Sequence, residues 1–353
     1  MSEEHTAPVL HDPSRRDFAS DNCAGAHPRV MAALVAANGG HQSSYGADVY
    51  TARLQEAVRA HFGPTAEAYP VFNGTGANLV ALSAMASRWH SVICPETAHL
   101  HTDETAAPEH AGLKLLTVPT PDGKLTPEGL RRHTRDLGNK HHAQAGVVSV
   151  SQTTELGTCY TPEELDALAT EAHAHGLGLH LDGARLANAA ATLGVSPARL
   201  TTEAGVDVVS FGATKNGTLY GDCVIVLNPE AVSGTAYVHK ATTQLPSKAR
   251  FVSAQLLALL DGDLWLENAR HSNAMATLLA DGLAALPGVR LAHPVRSNAV
   301  FAALPDGMAE QLRDHYTFST WDPDRGVVRL MTAFDTTEDD VAGFVKAART
   351  TAP

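Results

Sequence analysis

The stretch Leu177-Gly178-Leu179-His180-Leu181-Asp182-Gly183-Ala184-Arg185 decides the fold, together with Val206-Asp207-Val208-Val209-Ser210-Phe211-Gly212-Ala213-Thr214-Lys215-Asn216-Gly217 further on. Each is a short apolar run that ends on a polar group among small residues and glycines. The 33 residues from Asp182 to Lys215 leave room for one helix and one strand. Short apolar strands of this kind suit a sheet covered on both faces. The same rhythm recurs on either side. Ala66–Phe72, Ser91–Cys94, Lys114–Val118, Ala145–Ser151 and Asp222–Leu227 read as strands, and 28–38, 51–62, 77–88 and 161–175 as helices. The helix at Thr161 opens with cap, proline and two acids, Thr161-Pro162-Glu163-Glu164. Strand–helix alternation predicts an α/β fold with a mainly parallel sheet.

The pattern changes after about residue 240. A long helical stretch, 247–286, is followed by strands at 289–292, 299–303 and 327–331 and helices at 307–315 and 337–349. We therefore expect an arm over 1–16, a large α/β domain over 17–240 and a small α+β domain over 241–353, which suits a chain of 353 residues. A net charge of −12 with no basic block argues against nucleic-acid and anionic-membrane partners. The acidic, polar start Met1-Ser2-Glu3-Glu4-His5 lacks the features of a signal peptide, no apolar run reaches membrane-spanning length, and a cytoplasmic location is expected. Cys23, Cys94, Cys159 and Cys223 are widely spaced and the 19 histidines scattered, so neither a disulfide framework nor a metal site is expected.

Four signals lie at predicted strand ends, where open α/β sheets bind ligands. In Phe72-Asn73-Gly74-Thr75-Gly76-Ala77-Asn78 a glycine turn feeds a helix, and its N–H groups with the Thr75 hydroxyl suit a phosphate. Asp182 ends a strand, where it could hold a cation or a protonated ring nitrogen. Lys215 follows a buried strand, where desolvation lowers an amine's proton affinity and suits imine formation with an aldehyde. His99, in Thr97-Ala98-His99-Leu100-His101, could stack on a planar ring or move a proton. Each has a plainer reading when taken alone: a tight turn, a turn aspartate, a solvated lysine, a loop histidine. Together, a phosphate cup, a partner for a pyridine nitrogen and an amine for an aldehyde match the handles of pyridoxal 5′-phosphate.

The chain resembles the threonine aldolase / β-eliminating lyase family of fold-type I pyridoxal-phosphate enzymes, and within it the low-specificity L-threonine aldolases, from about Phe18 to Phe344. The most specific pieces are Phe72–Leu82 (FNGTGANLVAL), His180–Asn188 (HLDGARLAN) and Ser210–Gly217 (SFGATKNG), joined by Tyr45-Gly46-Ala47-Asp48 and Ser20-Asp21-Asn22. The resemblance implies an aspartate-aminotransferase-like fold and assigns roles. Lys215 would form the imine with the cofactor and Asp182 pair with its pyridinium nitrogen. Gly74, Thr75 and Gly76 would hold its phosphate, and His99 would stack on its ring as a candidate acid or base. Arg185 would lie beside cofactor and substrate carboxylate. Arg329 would clamp that carboxylate, with Ser20 adding a hydrogen bond, and Tyr45 belongs to the substrate-binding set. Lys248 and Arg250 would supply positive charge near the phosphate, if need be from a neighbouring subunit, because such sites usually lie at the interface of a homodimer or homotetramer.

One segment departs from the family pattern. Many members carry a histidine in an N-T-H-N-G-like segment, whereas here Gln152-Thr153-Thr154-Glu155-Leu156-Gly157 puts Glu155 in its place, as a subgroup does. Glu155 is a candidate to bind or deprotonate a β-hydroxyl, or it is simply a loop carboxylate. The expected reaction is retro-aldol cleavage of a β-hydroxy-α-amino acid, L-threonine or L-allo-threonine, to glycine and an aldehyde. The base is His99, Glu155 or a water held by either. The alternatives are a β-eliminating lyase, an aminotransferase, and a catalytically dead scaffold with a binding or regulatory role.

Overall fold

The structure, a computed structural model, describes residues 8–351. Of the expected arm, residues 1–7 lie outside the described residues, and 8–16 carry neither helix nor strand. The first sheet has seven strands: β1 (Glu67–Val71), β2 (His90–Pro95), β3 (Lys114–Val118), β4 (Gln144–Ser151), β5 (Gly178–Gly183), β6 (Val208–Phe211) and β7 (Asp222–Val226). Their order is β1-β7-β6-β5-β4-β2-β3. Every pairing from β6 across to β3 is parallel, while β7 runs antiparallel to both neighbours. The reversal has a consequence for chemistry. It brings the first residue of β7, Asp222, opposite Val71 at the carboxyl end of β1, the rim where β1, β2, β4, β5 and β6 all finish.

Residue pattern accounts for this sheet. The central strands β6 and β7 are buried at every position, as their mainly apolar sequences suit, with Ser210 and Asp222 the polar exceptions. Helices cover the faces. The helix Pro162–Ala174 starts at the expected cap, Thr161, which forms a full capping box, with Thr161 Oγ1 accepting from the Glu164 N–H and the Glu164 carboxylate accepting from the Thr161 N–H. A large core runs through Leu54, Phe62, Ile93, Val148, Leu179, Phe211 and Ile225, among others.

The second sheet has four strands: β8 (Arg290–Leu291), β9 (Ala299–Ala303), β10 (Ser319–Asp322) and β11 (Val327–Met331), all antiparallel in the order β10-β11-β9-β8. It builds its own core on Phe18, Leu279, Leu283, Val300, Leu330 and Phe344. The stretch expected as one helical run is two helices, Ala249–Leu260 and Leu264–Ala284, broken at Asp261-Gly262-Asp263, where Gly262 takes φ 137°. The second helix serves both cores. Leu264, Trp265 and Ala269 sit in the large one, and Met275, Ala276, Leu279, Ala280 and Leu283 in the small one. Phe18, far earlier in the chain, belongs to the small core, its carbonyl accepting from the Met331 N–H and its N–H donating to the Thr317 carbonyl. Among the described residues no helix is long and apolar enough to cross a membrane.

Candidate active site

A cavity of about 440 Å³ lies at the carboxyl rim of the large sheet. A second, of about 150 Å³, continues from it toward the small sheet, the two sharing Asn22, His99, Thr153, Glu155, Arg185 and Lys215. Strand ends supply the walls. Gly74 and Thr75 come from the turn after β1, His99 follows β2, Ser151 and Glu155 follow β4, and Asp182 and Arg185 end β5. Ser210 and Lys215 come from β6, and Asp222 begins β7.

The floor of the larger cavity is set by hydrogen bonds within the chain. Asp182 Oδ1 accepts from the Ala184 N–H at 3.0 Å, and Asp182 Oδ2 accepts from Asn78 Nδ2 at 2.8 Å. Buried and held on both oxygens, the carboxylate has a fixed direction. Below it, His180 bridges Ser149 Oγ (2.8 Å) and Ser210 Oγ (2.9 Å), and burial lowers its proton affinity to a pKa of about 4, so it is neutral. Asp222 Oδ1 accepts from the Ala213 and Thr214 N–H groups at 2.7 and 2.9 Å and so anchors the turn that carries Lys215. Burial raises the pKa of Asp222. Burial likewise lowers that of Lys215, reinforced by Arg185 and opposed by Asp21, Asp182 and Asp222. An amine so placed is more readily available in its neutral, nucleophilic form.

The helix expected to begin at Ala77 begins at Gly74, because the Asn73 side chain caps it by accepting from the Gly76 N–H at 2.7 Å. Gly74 and Thr75 line the cavity; Gly76 does not. Its N–H is spent on the cap, and its lack of a side chain has another reason, since a Cβ there would collide with the Gln244 amide. In the structure Gly74 and Thr75 are therefore the residues of that turn that face the cavity.

His99 sits over the cavity mouth with Nδ1 2.8 Å from Glu104 Oε1, a bond that raises its proton affinity against the effect of burial. The His99 N–H donates to Glu155 Oε1 at 2.9 Å, and Ser151 Oγ donates to the same oxygen at 2.6 Å. Burial nonetheless raises the pKa of Glu155, and its Oε2 is buried without a partner. At the far end, Arg185 grips Asp21 with Nε and Nη2 at 2.8 and 2.9 Å, while Asn298 Nδ2 donates to Asp21 Oδ2 at 2.9 Å. Arg329 lines the smaller cavity beside Ser20, its guanidinium 5.5 Å from the Trp321 ring centre and its buried Nε without a partner. Burial, and Arg185 nearby, disfavour its charge. A carboxylate entering there would meet one arginine already paired and one whose donors are open.

Besides Gly76, three sequence-predicted residues line neither cavity in a single chain. Tyr45 is exposed at φ 56° with Lys240 Nζ 4.3 Å from its ring centre. Lys248 is exposed at the start of its helix, and Arg250 Nη1 donates to the Gly40 carbonyl at 3.3 Å. They are near one another, the Tyr45 N–H donating to the Ser247 carbonyl, but they sit on the outer surface, away from the cavity walls.

A model of the beta-eliminating lyase family matches residues 17–306. The chain belongs to that family. Low specificity L-threonine aldolase of a Pseudomonas species is 43% identical over 92% of this chain and 94% of its own. A solved structure of Leishmania major threonine aldolase superposes with a TM-score of 0.91 at 32% identity, covering 96% of this chain and all of that one. Aspartate aminotransferase from Thermus thermophilus, at 20% identity and a TM-score of 0.69, shares the fold. Against that family background, sequence reasoning missed four acids and amides that organise the cleft: Asp21, Asn78, Glu104 and Asp222. Asp21 and Asn78 stood inside quoted motifs, and that position was the available signal.

Proposed function

We propose that the chain is a pyridoxal-phosphate-dependent aldolase that cleaves β-hydroxy-α-amino acids, L-threonine and L-allo-threonine among them, to glycine and an aldehyde. One observation carries it. A desolvated lysine and a buried, doubly held aspartate line one cavity, which opens toward an arginine with unpartnered donors. These residues fit the cofactor. Gly74 and Thr75 at the helix start would take its phosphate, Lys215 its aldehyde and Asp182 its ring nitrogen, and the cavity has room for a planar ring. The group, when bound, supplies an electron sink for the bond broken at Cα.

The chain's own residues do the rest. Asp182 keeps a proton on the ring nitrogen, because a fixed buried carboxylate favours the charged partner. Arg329, with Arg185 and Ser20 beside it, binds the substrate carboxylate. That grip orients Cα so that the bond to Cβ, and no other, is aligned for cleavage. The β-hydroxyl proton passes to His99 Nε2 or to Glu155 Oε2, directly or through a water held between them. His99 is the stronger candidate, since its Nδ1 is committed to Glu104 while its Nε2 has only the exposed Asp103 carboxylate, 3.7 Å away, beside it. Glu155 Oε2, buried without a partner, is the group left to hydrogen-bond the hydroxyl.

Lys248, Arg250 and Tyr45 fit best as contributions to a second copy's cavity in a homodimer or homotetramer, a reading that sedimentation of the holoenzyme tests. Product analysis tests the reaction. With L-threonine the expected products are acetaldehyde and glycine in equal amounts; ammonia and a keto acid would assign the fold to elimination instead.

A further inference from the structure

Glu104 lies five residues beyond His99, past the short helix His99–Thr102, yet its side chain is 1% exposed. Getting it inside requires unusual backbone. Thr105 and Ala106, the next two residues, both take left-handed conformations at φ 48° and 57° without being glycine. A run of two such residues costs free energy that the fold retains only where the surroundings enforce it. What the turn achieves is a buried chain of polar contacts. His99 Nδ1 is 2.8 Å from Glu104 Oε1, Asn78 Nδ2 donates to that same oxygen at 2.8 Å, and Asn78 Nδ2 also donates to Asp182 Oδ2 at 2.8 Å. The amide orientation of Asn78 is fixed by this arrangement. Turned over, it would set its carbonyl oxygen against two carboxylates.

We propose that Glu104 is a positioning residue for the cleavage reaction, holding His99 as the Nδ1–H tautomer with Nε2 turned to the substrate and coupling it through Asn78 to Asp182. The inference deepens the aldolase reading and rests on it for the identity of the proton transferred. The logic is that of a carboxylate behind a catalytic imidazole. A buried acceptor on one ring nitrogen decides which nitrogen is free and how basic it is. The other groups around His99 do not supply this. Asp103 is 3.7 Å from Nε2 and almost fully exposed, so solvent screens it. Glu155 meets the His99 backbone and not the ring. Lys215 acts against a charge on the imidazole and Asp182 in favour of it, and both would be engaged by the cofactor. Among the described residues Glu104 alone makes a hydrogen bond to the ring, and Asn78 fixes its direction.

The test uses Glu104→Gln in the cofactor-loaded protein. This variant keeps the shape and an acceptor oxygen and removes the charge. Nitrogen NMR of histidine-labelled protein, with the His99 signal assigned by its loss in His99→Phe, reads the ring directly. The expected results are a protonated Nδ1 in the wild type and a titration about one pH unit lower in Glu104→Gln, with the two tautomers mixed. The acid limb of kcat/KM for L-threonine should move down by the same amount, with kcat falling about tenfold and cofactor affinity unchanged. In the His99→Phe background Glu104→Gln should change kcat/KM by less than about twofold, because the carboxylate acts through the ring. An unshifted His99 titration, or an equal loss in both backgrounds, would overturn the proposal. If the wild type released no acetaldehyde, the aldolase reading would fall instead, while the NMR arm would still decide what Glu104 does to His99.

Discussion

The two ends of the cleft are built on opposite plans. At the sheet end the carboxylates and the lysine-bearing turn are already held by the chain, and Asn78 Oδ1 and Thr214 Oγ1 are the buried atoms there without a partner. Asp182 is tied by Asn78 and Ala184, Asp222 by Ala213 and Thr214, and the turn bearing Lys215 is anchored through Asp222. At the end facing the small sheet, polar atoms are buried without partners, namely Arg329 Nε and Glu155 Oε2. A buried unsatisfied donor costs roughly 1–3 kcal/mol, so such atoms are expensive to keep unless a ligand meets them. The first end is therefore organised before anything binds, and the second is completed by the substrate. That is the division expected when a resident cofactor and a transient amino acid share one cavity.

Breaking the preorganised end should have the largest effect. Lys215→Ala is expected to lower steady turnover of L-threonine by a factor of at least about a thousand, measured as acetaldehyde release, since among the described residues of one chain no other lysine lines the cavity. Asp182→Asn removes a charge and keeps the shape. Cofactor affinity and kcat should fall together, kcat by about a hundredfold, read by absorbance titration and steady-state rates. Retained affinity with a normal rate would place the ring nitrogen elsewhere.

Changes at the unfinished end should be smaller and of another kind. Arg329→Met should leave cofactor affinity unaltered and reduce kcat/KM by about ten- to a hundredfold, the worth of one charge-assisted carboxylate contact. A parallel loss of cofactor affinity would erase the distinction between the two ends.

The smallest catalytic effect is expected at Asp21→Asn, whose signature is stability. Burial raises the pKa of Asp21, but Arg185 outweighs that and holds the carboxyl below its ordinary value. A carboxyl depressed in the folded state stabilises the fold above its unfolded pKa of about 3.9, and that contribution is lost as pH falls through the lower folded value. Wild type should thus exceed Asp21→Asn by about 2–4 kcal/mol in denaturant titrations at neutral pH, because the variant leaves a buried arginine unpaired. The gap should close below about pH 4. A gap that persisted unchanged in acid would contradict the assignment.

The same contrast marks what could be read from sequence. Local patterns reported local structure. The polar groups Asp182 and Lys215 at and after strand ends, the helix cap at Thr161 and the strands at 299–303 and 327–331 all follow from runs of a few residues. What escaped depends on distant partners. Glu104 is one acid of a polar turn until the left-handed pair after it folds it beneath His99. Asp222 looks like the acid opening a strand, and only the reversed direction of β7 brings it to the rim beside the Lys215 turn. Asp21 stands in a quoted motif, but its hold on both Arg185 and Asn298 spans residues 164 and 277 positions away. Gly76 carries a structural reason its motif did not show: its N–H caps against Asn73, and Gln244 approaches too closely for a side chain.

The most direct test of the whole assignment is to reduce the cofactor-loaded protein with borohydride and map the modified peptide. The account predicts one pyridoxyl group per chain, on Lys215. A label on another lysine, such as Lys248, or no stable label at all, would contradict it.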